Sequence, residues 1–269
     1  MRRSEESMSD ILIKLGGGLI TDKSRLRTVE QSRIESVARV IAVLLDEGHS
    51  VRVVHGAGSF GHLKAKEWSL STGADPLRLD DQLVAVNDVR MDMRKLNSIV
   101  RDVFESQDIN VSAHPPSIWA TGTGPSFAGD LSRFESIPQN TVAMTFGDVV
   151  DCPPPDQFGI LSGDDLMVRM ASELNITHAI FLLGDTEGLL DRPPDQPGAE
   201  LITLWTPERK IAGKHDSAQD VTGGIFLKIA SASAISKHVE NVWLIDGRQP
   251  QRVLQLIRTG KTRGTRVIG

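Results

Sequence analysis

The sequence holds a single cysteine, Cys152, no tyrosine and only 4% aromatic residues. One thiol cannot close an internal disulfide, and a zinc site built on paired cysteines is excluded. The expectation is a reducing, cytoplasmic setting in which Cys152 packs as a small apolar side chain. Long apolar runs are also missing. Stretches such as Ile180–Leu183 fall far short of the ~20 residues that span a bilayer, and the charged opening MRRSEESMSD lacks the apolar centre of a secretion signal. No membrane partner is expected. Excess charge of one sign is absent too: 30 basic against 35 acidic residues leave a net charge of −5, with no long-range field to collect nucleic acid. An anionic ligand must then be captured by local structure.

What is present reads as one α/β domain over residues 1–269, with neither internal repeat nor clean linker. Ile11–Leu15 predicts a strand that runs into Gly16, Gly17 and Gly18. Thr28 and Gln31 spell a capping box ahead of Ile34, Val37, Ile41 and Leu44, a helical spacing that ends at Gly48. Ser50–His55 predicts a second buried strand, followed by a glycine turn and a helix through Glu67. Leu79–Phe104 predicts one long amphipathic helix with Leu83, Val86, Val89, Met93, Leu96 and Val100 on its apolar stripe. Strands are expected at Val111–Ala113, Thr141–Thr145, His178–Leu183 and Asn241–Ile245, and helices at Leu166–Leu174 and Ile225–His238. The stretch holding Pro115, Pro116, Gly122, Gly124 and Pro125 reads as loop. Strand and helix alternating in this way imply a three-layer αβα sandwich on an open, mainly parallel sheet.

The segment Gly56-Ala57-Gly58-Ser59-Phe60-Gly61 matches the dinucleotide fingerprint, yet the ribose-binding acid expected about 20 residues later at the end of the next strand is replaced by Pro76, Asp80 and a long helix. It also nearly spells a P-loop, but His62 stands where that loop requires Lys and Leu63 where it requires Ser or Thr. What survives is physical. Glycines that bare amide N–H groups at a helix N-terminus make an anion nest, with His62 one residue beyond, so a phosphorylated ligand is expected there.

Three further segments carry the same glycine punctuation: Ser162-Gly163-Asp164-Asp165, Gly184-Asp185-Thr186-Glu187-Gly188, and Asp220-Val221-Thr222-Gly223-Gly224 with Lys228. Read together with Lys14-Leu15-Gly16-Gly17, they resemble the amino acid kinase superfamily from Ile11 to the end of the chain. Within it, Ile20-Thr21-Asp22-Lys23, the run His55 to His62 and Ser162 to Asp165 resemble the isopentenyl phosphate kinases. The resemblance implies transfer of a phosphoryl group from ATP to isopentenyl phosphate, with dimethylallyl phosphate as a second acceptor. It places the acceptor in a half of about 11–150 and ATP in a half of about 151–269, and implies a homodimer. Gly18, and Thr186 with Glu187, depart from the family pattern.

A phosphomonoester brought against a γ-phosphate suffers strong like-charge repulsion. Such a site needs fixed cations and oriented N–H donors, while the nucleophile is already ionised and calls for no general base. Lys14 and Lys228 are expected to flank the transferring group, with Asp185 holding their ammonium groups. His62 is expected to bind the acceptor phosphate with the amides around Ala57, Gly58 and Gly163. By resemblance, Lys23 reaches the nucleotide phosphates, and Gly16, Gly17, Gly58, Gly188 and Gly223 line the ATP site. Val86, Val89 and Met93 offer an apolar wall for the isopentenyl tail, ordinary core being the competing reading. Asp164 and Asp165 read equally well as helix N-terminal acids. Magnesium is expected with ATP, ligated by phosphates and water, since no Walker-B-type carboxylate stands out. Competing identities are a fosfomycin-type kinase on the same fold, a non-catalytic nucleotide-binding protein and, more remotely, a dehydrogenase.

Overall fold

In the computed structural model, which describes residues 8–22, 24–208 and 223–269, the first strand sets the architecture. β1 (Asp10–Leu15) lies between two parallel neighbours. Side chains alternate across a strand, so Ile11, Ile13 and Leu15 enter one hydrophobic cluster while Leu12 enters the other. Lys14 falls on the Leu12 face. Its position in the site is thus decided by a period of two.

A one-turn helix α1 (Gly17–Ile20) follows, then α2 (Gln31–Asp46), β2 (Ser50–His55), α3 (Gly58–Glu67) and the long α4 (Leu79–Glu105). The capping box expected at Thr28 does not form. Val29 bridges Thr21 in an antiparallel contact, which holds that stretch extended, and α2 starts after Glu30 with no side-chain cap. Along α4, Val86, Val89, Met93, Leu96 and Val100 are buried as expected, while Leu83 is exposed and Gln82 turns inward instead. Gln82 donates to the carbonyls of Trp68 and Gly73 and accepts from Asp75 N–H, so its amide closes the connection between α3 and α4.

The expected loop after β3 (Asn110–Ala113) is a small second sheet: α5 (Pro116–Trp119), β4 (Ala120–Thr121) and β5 (Ala128–Gly129), then, beyond β6 (Thr141–Phe146), β7 (Asp148–Asp151) and β8 (Phe158–Leu161). The chain continues through α6 (Gly163–Glu173), β9 (His178–Leu183), β10 (Leu204–Trp205), α7 (Gly223–Ile235), β11 (Asn241–Asp246), α8 (Gln251–Thr259) and β12 (Thr265–Val267). The main sheet has the order β10-β12-β11-β9-β1-β2-β6-β3 and is parallel except between β11 and β12. Residues of α2, α4 and α8 pack on one face, those of α6 and α7 on the other.

Register brings the functional loops together. Leu15 pairs with both His55 and Leu182, His55 pairs with Phe146, and Leu183 with Asp246. The glycine segments at 16–18, 56–61, 147, 184–188 and 247 therefore leave one edge of the sheet side by side. The carboxyl edge of a parallel sheet is where such folds bind ligands. No helix among the described residues is long and apolar enough to cross a membrane.

Candidate active site

Lys14, almost fully buried, extends from β1 toward α6 and α7, and its Nζ lies 2.5 Å from Asp164 Oδ1 at the start of α6. Burial pushes the ammonium below the ordinary lysine range, Asp164 pulls it up, and the neighbouring Lys228 ammonium pushes it down again. Two cations from different elements thus share one neighbourhood, with a carboxylate against the deeper of them. Lys228 Nζ itself donates to Gly224 O, one turn back in α7, at 3.0 Å.

The α6 start explains why Asp164 is available. Ser162 and Asp165 form a reciprocal capping box: Ser162 Oγ accepts from Asp165 N–H, and Asp165 Oδ2 accepts from both Ser162 N–H and Oγ–H. One acid satisfies the helix end. The other, Asp164, is left to face Lys14.

The first two glycine loops are pressed against each other. A Cβ on Gly17 would stand 2.4 Å from Gly58 N, and one on Gly56 would stand 2.8 Å from Gly17 N. Gly58 adopts φ +50° over Thr21, whose hydroxyl donates to Gly17 O and accepts Ser59 N–H at 2.9 Å. Only glycine permits this backbone contact. Above it opens a cavity of about 490 Å³, within the size range of small-molecule sites. Lys14, Gly16, Gly17, Ala57, His62, Gly163, Asp164 and Lys228 line its polar side, and Ala65, Val89, Met93, Val149 and Ile160 its apolar side.

The profile of the amino acid kinase family matches residues 11–246. The chain belongs to the amino acid kinase family. Members of this family are phosphotransferases that use ATP as donor. The isopentenyl phosphate kinase of Thermoplasma acidophilum is 32% identical over 90% of this chain and 94% of its own. That of Haloferax volcanii is 32% identical over 85% and 89%. A crystal structure of the T. acidophilum isopentenyl phosphate kinase product complex superposes with a TM-score of 0.74 at 29% identity, covering 96% of this chain and all of the other.

In this amino acid kinase the cavity gathers Lys14, Gly16, Gly17, Ala57, His62, Val89, Met93, Gly163 and Lys228 from the expected site residues. Others lie elsewhere. Gly58 supports the loop from behind, against Gly17 and Thr21. Val86 is buried in the core, and Gly188 packs on Thr265. The partner of Lys14 is Asp164 where Asp185 was expected: Asp185 does not line the cavity and lies near Arg248, whose guanidinium is held above its ordinary range mainly by Asp246, with smaller contributions from Asp185 and Glu187. Gly223 opens α7, while Lys23, Asp220 and Thr222 lie outside the described residues. Asp148, Ile160, Leu227 and Ser231 line the cavity without having been anticipated. Of these, Asp148 follows a glycine directly after a strand, the one local signal available; the hydroxyl of Ser231 gives none.

Beneath the loop lies His55, wholly buried and stacked on Phe146 with ring centroids 5.0 Å apart. Burial drives its pKa down to about 4 against a small upward pull from the Gly56 carbonyl. Unfolding returns the imidazole to about 6.5, so the unfolded chain takes up a proton between these values that the folded chain refuses. Stability is then full above pH ~6.5 and falls as pH drops toward ~4, by roughly 3 kcal/mol from this residue. Urea unfolding between pH 7.5 and 4.5 checks this: replacing His55 with Gln should flatten the fall by about that amount, and an unchanged slope would contradict it.

Proposed function

We propose that this chain transfers the γ-phosphoryl group of ATP to isopentenyl phosphate, giving ADP and isopentenyl diphosphate. The observation that carries the reading is a cavity in which a paired-lysine pole, an amide-rich glycine turn closed by His62 and an apolar wall meet. An acceptor with an anionic head and a short hydrocarbon tail matches that sequence of surfaces, and the names of the relatives point to the same molecule.

A phosphate oxygen of the acceptor attacks the γ-phosphorus in line, the bond to the β–γ bridging oxygen breaks, and ADP leaves; no proton need be removed from the nucleophile. Lys14 and Lys228 offset the charge that develops on the transferring group, Asp164 holding Lys14 in place. His62 and the amides of Ala57 and Gly163 hold the acceptor phosphate, and Ala65, Val89, Met93 and Ile160 exclude water around the tail. Magnesium, accompanying the nucleotide, would neutralise phosphate charge; Asp164 and Asp165, the acids at the start of α6, are engaged with Lys14 and with the helix cap. The reading extends to an acceptor half of about 11–150, a nucleotide half of about 151–269, a homodimer and a cytoplasmic setting. The lone Cys152 supports the last of these.

Changing His62 to Ala tests the assignment. The expected result is a KM for isopentenyl phosphate raised about 10- to 100-fold with the KM for ATP nearly unmoved, the loss of one charge-assisted contact to the acceptor. An unchanged acceptor KM would remove His62 from the site.

A further inference from the structure

Val89 and Met93 of α4 wall the cavity, and the next residue at that helical spacing, Asn97, carries a buried amide beyond it. A buried amide is costly unless it is hydrogen-bonded. Asn97 Nδ2 lies 3.2 Å from His55 Nε2, and His55 Nδ1 lies 3.1 Å from Gly56 O. A carbonyl only accepts, so Nδ1 carries the ring proton, Nε2 is left as an acceptor, and Asn97 donates to it. The relay reads Asn97 N–H to imidazole, imidazole N–H to the Gly56 carbonyl.

Its far end is the anion loop. The Gly56–Ala57 peptide is trans, so pinning the Gly56 carbonyl toward the ring turns the Ala57 N–H away from it, and Ala57 lines the cavity. The His55 carbonyl meanwhile accepts Gly147 N–H at 3.1 Å and stands 3.5 Å from where a Cβ on Gly163 would lie. His55 therefore meets three of the glycine segments around the cavity, its ring at Gly56 and its backbone carbonyl at Gly147 and beside Gly163, and through Asn97 the ring also meets the helix that walls the cavity.

We propose that His55 and Asn97 are positioning residues that fix the glycine loop at a set distance from α4, so that the phosphate cradle and the tail wall grip one acceptor at the same time. The function of the pair rests on the reading of the cavity as the acceptor site. The pair touches neither reacting group. It acts on how well a phosphate with an attached tail is held, and leaves the nucleotide alone.

The test uses the full-length protein and two variants. Asn97→Asp keeps the shape and replaces the amide N–H₂ donor with a carboxyl oxygen, which as a carboxylate only accepts, and Asn97→Leu removes both hydrogen-bonding groups. Leaving Nε2 buried without a donor predicts a KM for isopentenyl phosphate raised about 5- to 100-fold, the KM for ATP staying within about twofold. In the wild type, nitrogen-15 imidazole resonances of His55 should show a protonated Nδ1 and a bare Nε2 at neutral pH, a pattern that Asn97→Asp alters. A wild-type ring protonated at Nε2, an unchanged acceptor KM in Asn97→Asp, or acceptor and ATP KM values that rise together would each overturn the proposal. Should the wild type turn over no isopentenyl phosphate, the functional reading fails by itself. Titration of the loop amides with inorganic phosphate then decides the inference: weaker binding by Asn97→Asp sustains it, and equal binding overturns it.

Discussion

Changing Lys14 to Met is expected to lower kcat about 10³-fold, the range found when one fixed donor is removed from a developing anion in a site shielded from water. That factor is about 4 kcal/mol of transition-state stabilisation. The same change should also destabilise the fold, because Asp164, paired with Lys14 at 2.5 Å and largely covered, is left as an uncompensated carboxylate at a cost of roughly 3 kcal/mol. Adding Asp164→Asn separates the two effects: the double variant should recover most of the stability and none of the activity. Asp164→Asn alone should act through the proton on Lys14. Burial already lowers that pKa and Asp164 opposes the shift, so removing the carboxylate lowers it further, and kcat/KM is lost at lower pH on the alkaline side than in the wild type. Rate profiles between pH 6 and 10, with chemical unfolding run on each variant, check all three statements. An alkaline limb that stays in place in Asp164→Asn would show that Lys14 is not the group being tuned.

Lys228→Ala is expected to depress kcat about 10²- to 10³-fold for every acceptor, in contrast to the acceptor-specific effect at His62. It should leave the fold nearly intact, since Lys228 is half-buried on the first turns of α7 and its one described hydrogen bond goes to its own helix. It also carries a signature of opposite sign. The Lys228 charge lowers the pKa of Lys14, so its removal should let that pKa rise and carry the alkaline limb of the residual activity to higher pH. Opposite displacements in Lys228→Ala and Asp164→Asn, measured on one set of profiles, would tie the two lysines into a single electrostatic unit. Displacements of the same sign would contradict that arrangement.

Much of this site was legible because it follows from short-range rules. Alternation along Ile11–Leu15 puts Lys14 at the end of a buried strand, on the face opposite Ile13. Glycines after successive strands mark the edge where the loops gather, and the parallel order of β2, β1, β9 and β11 brings them into line. The role of Asp164 was within reach as well: in Ser162-Gly163-Asp164-Asp165 the capping box uses the fourth residue, and the third is surplus. That Asp164 rather than Asp185 faces Lys14 follows from the packing of α6 against β1, a contact between segments about 150 positions apart that local pattern around Asp185 does not reveal. Periodicity likewise marks Val86, Val89 and Met93 as one buried stripe without telling which members meet a cavity and which meet other side chains. The second sheet escaped because β4 and β5 are two residues long and β7 and β8 only four, too short for alternation to register clearly. Helix α8 was not anticipated either, although Pro250 stands at its start, Val253 and Leu256 turn inward, and Gly260 ends it at φ +70°.

The acceptor is tested most directly by the rate of ADP release from magnesium-ATP by the purified protein with isopentenyl phosphate, dimethylallyl phosphate, fosfomycin, acetylglutamate or no acceptor. Strong, selective turnover of isopentenyl phosphate is expected, with a residual rate on dimethylallyl phosphate. Turnover confined to fosfomycin, or no turnover with any acceptor despite bound ATP, would contradict it.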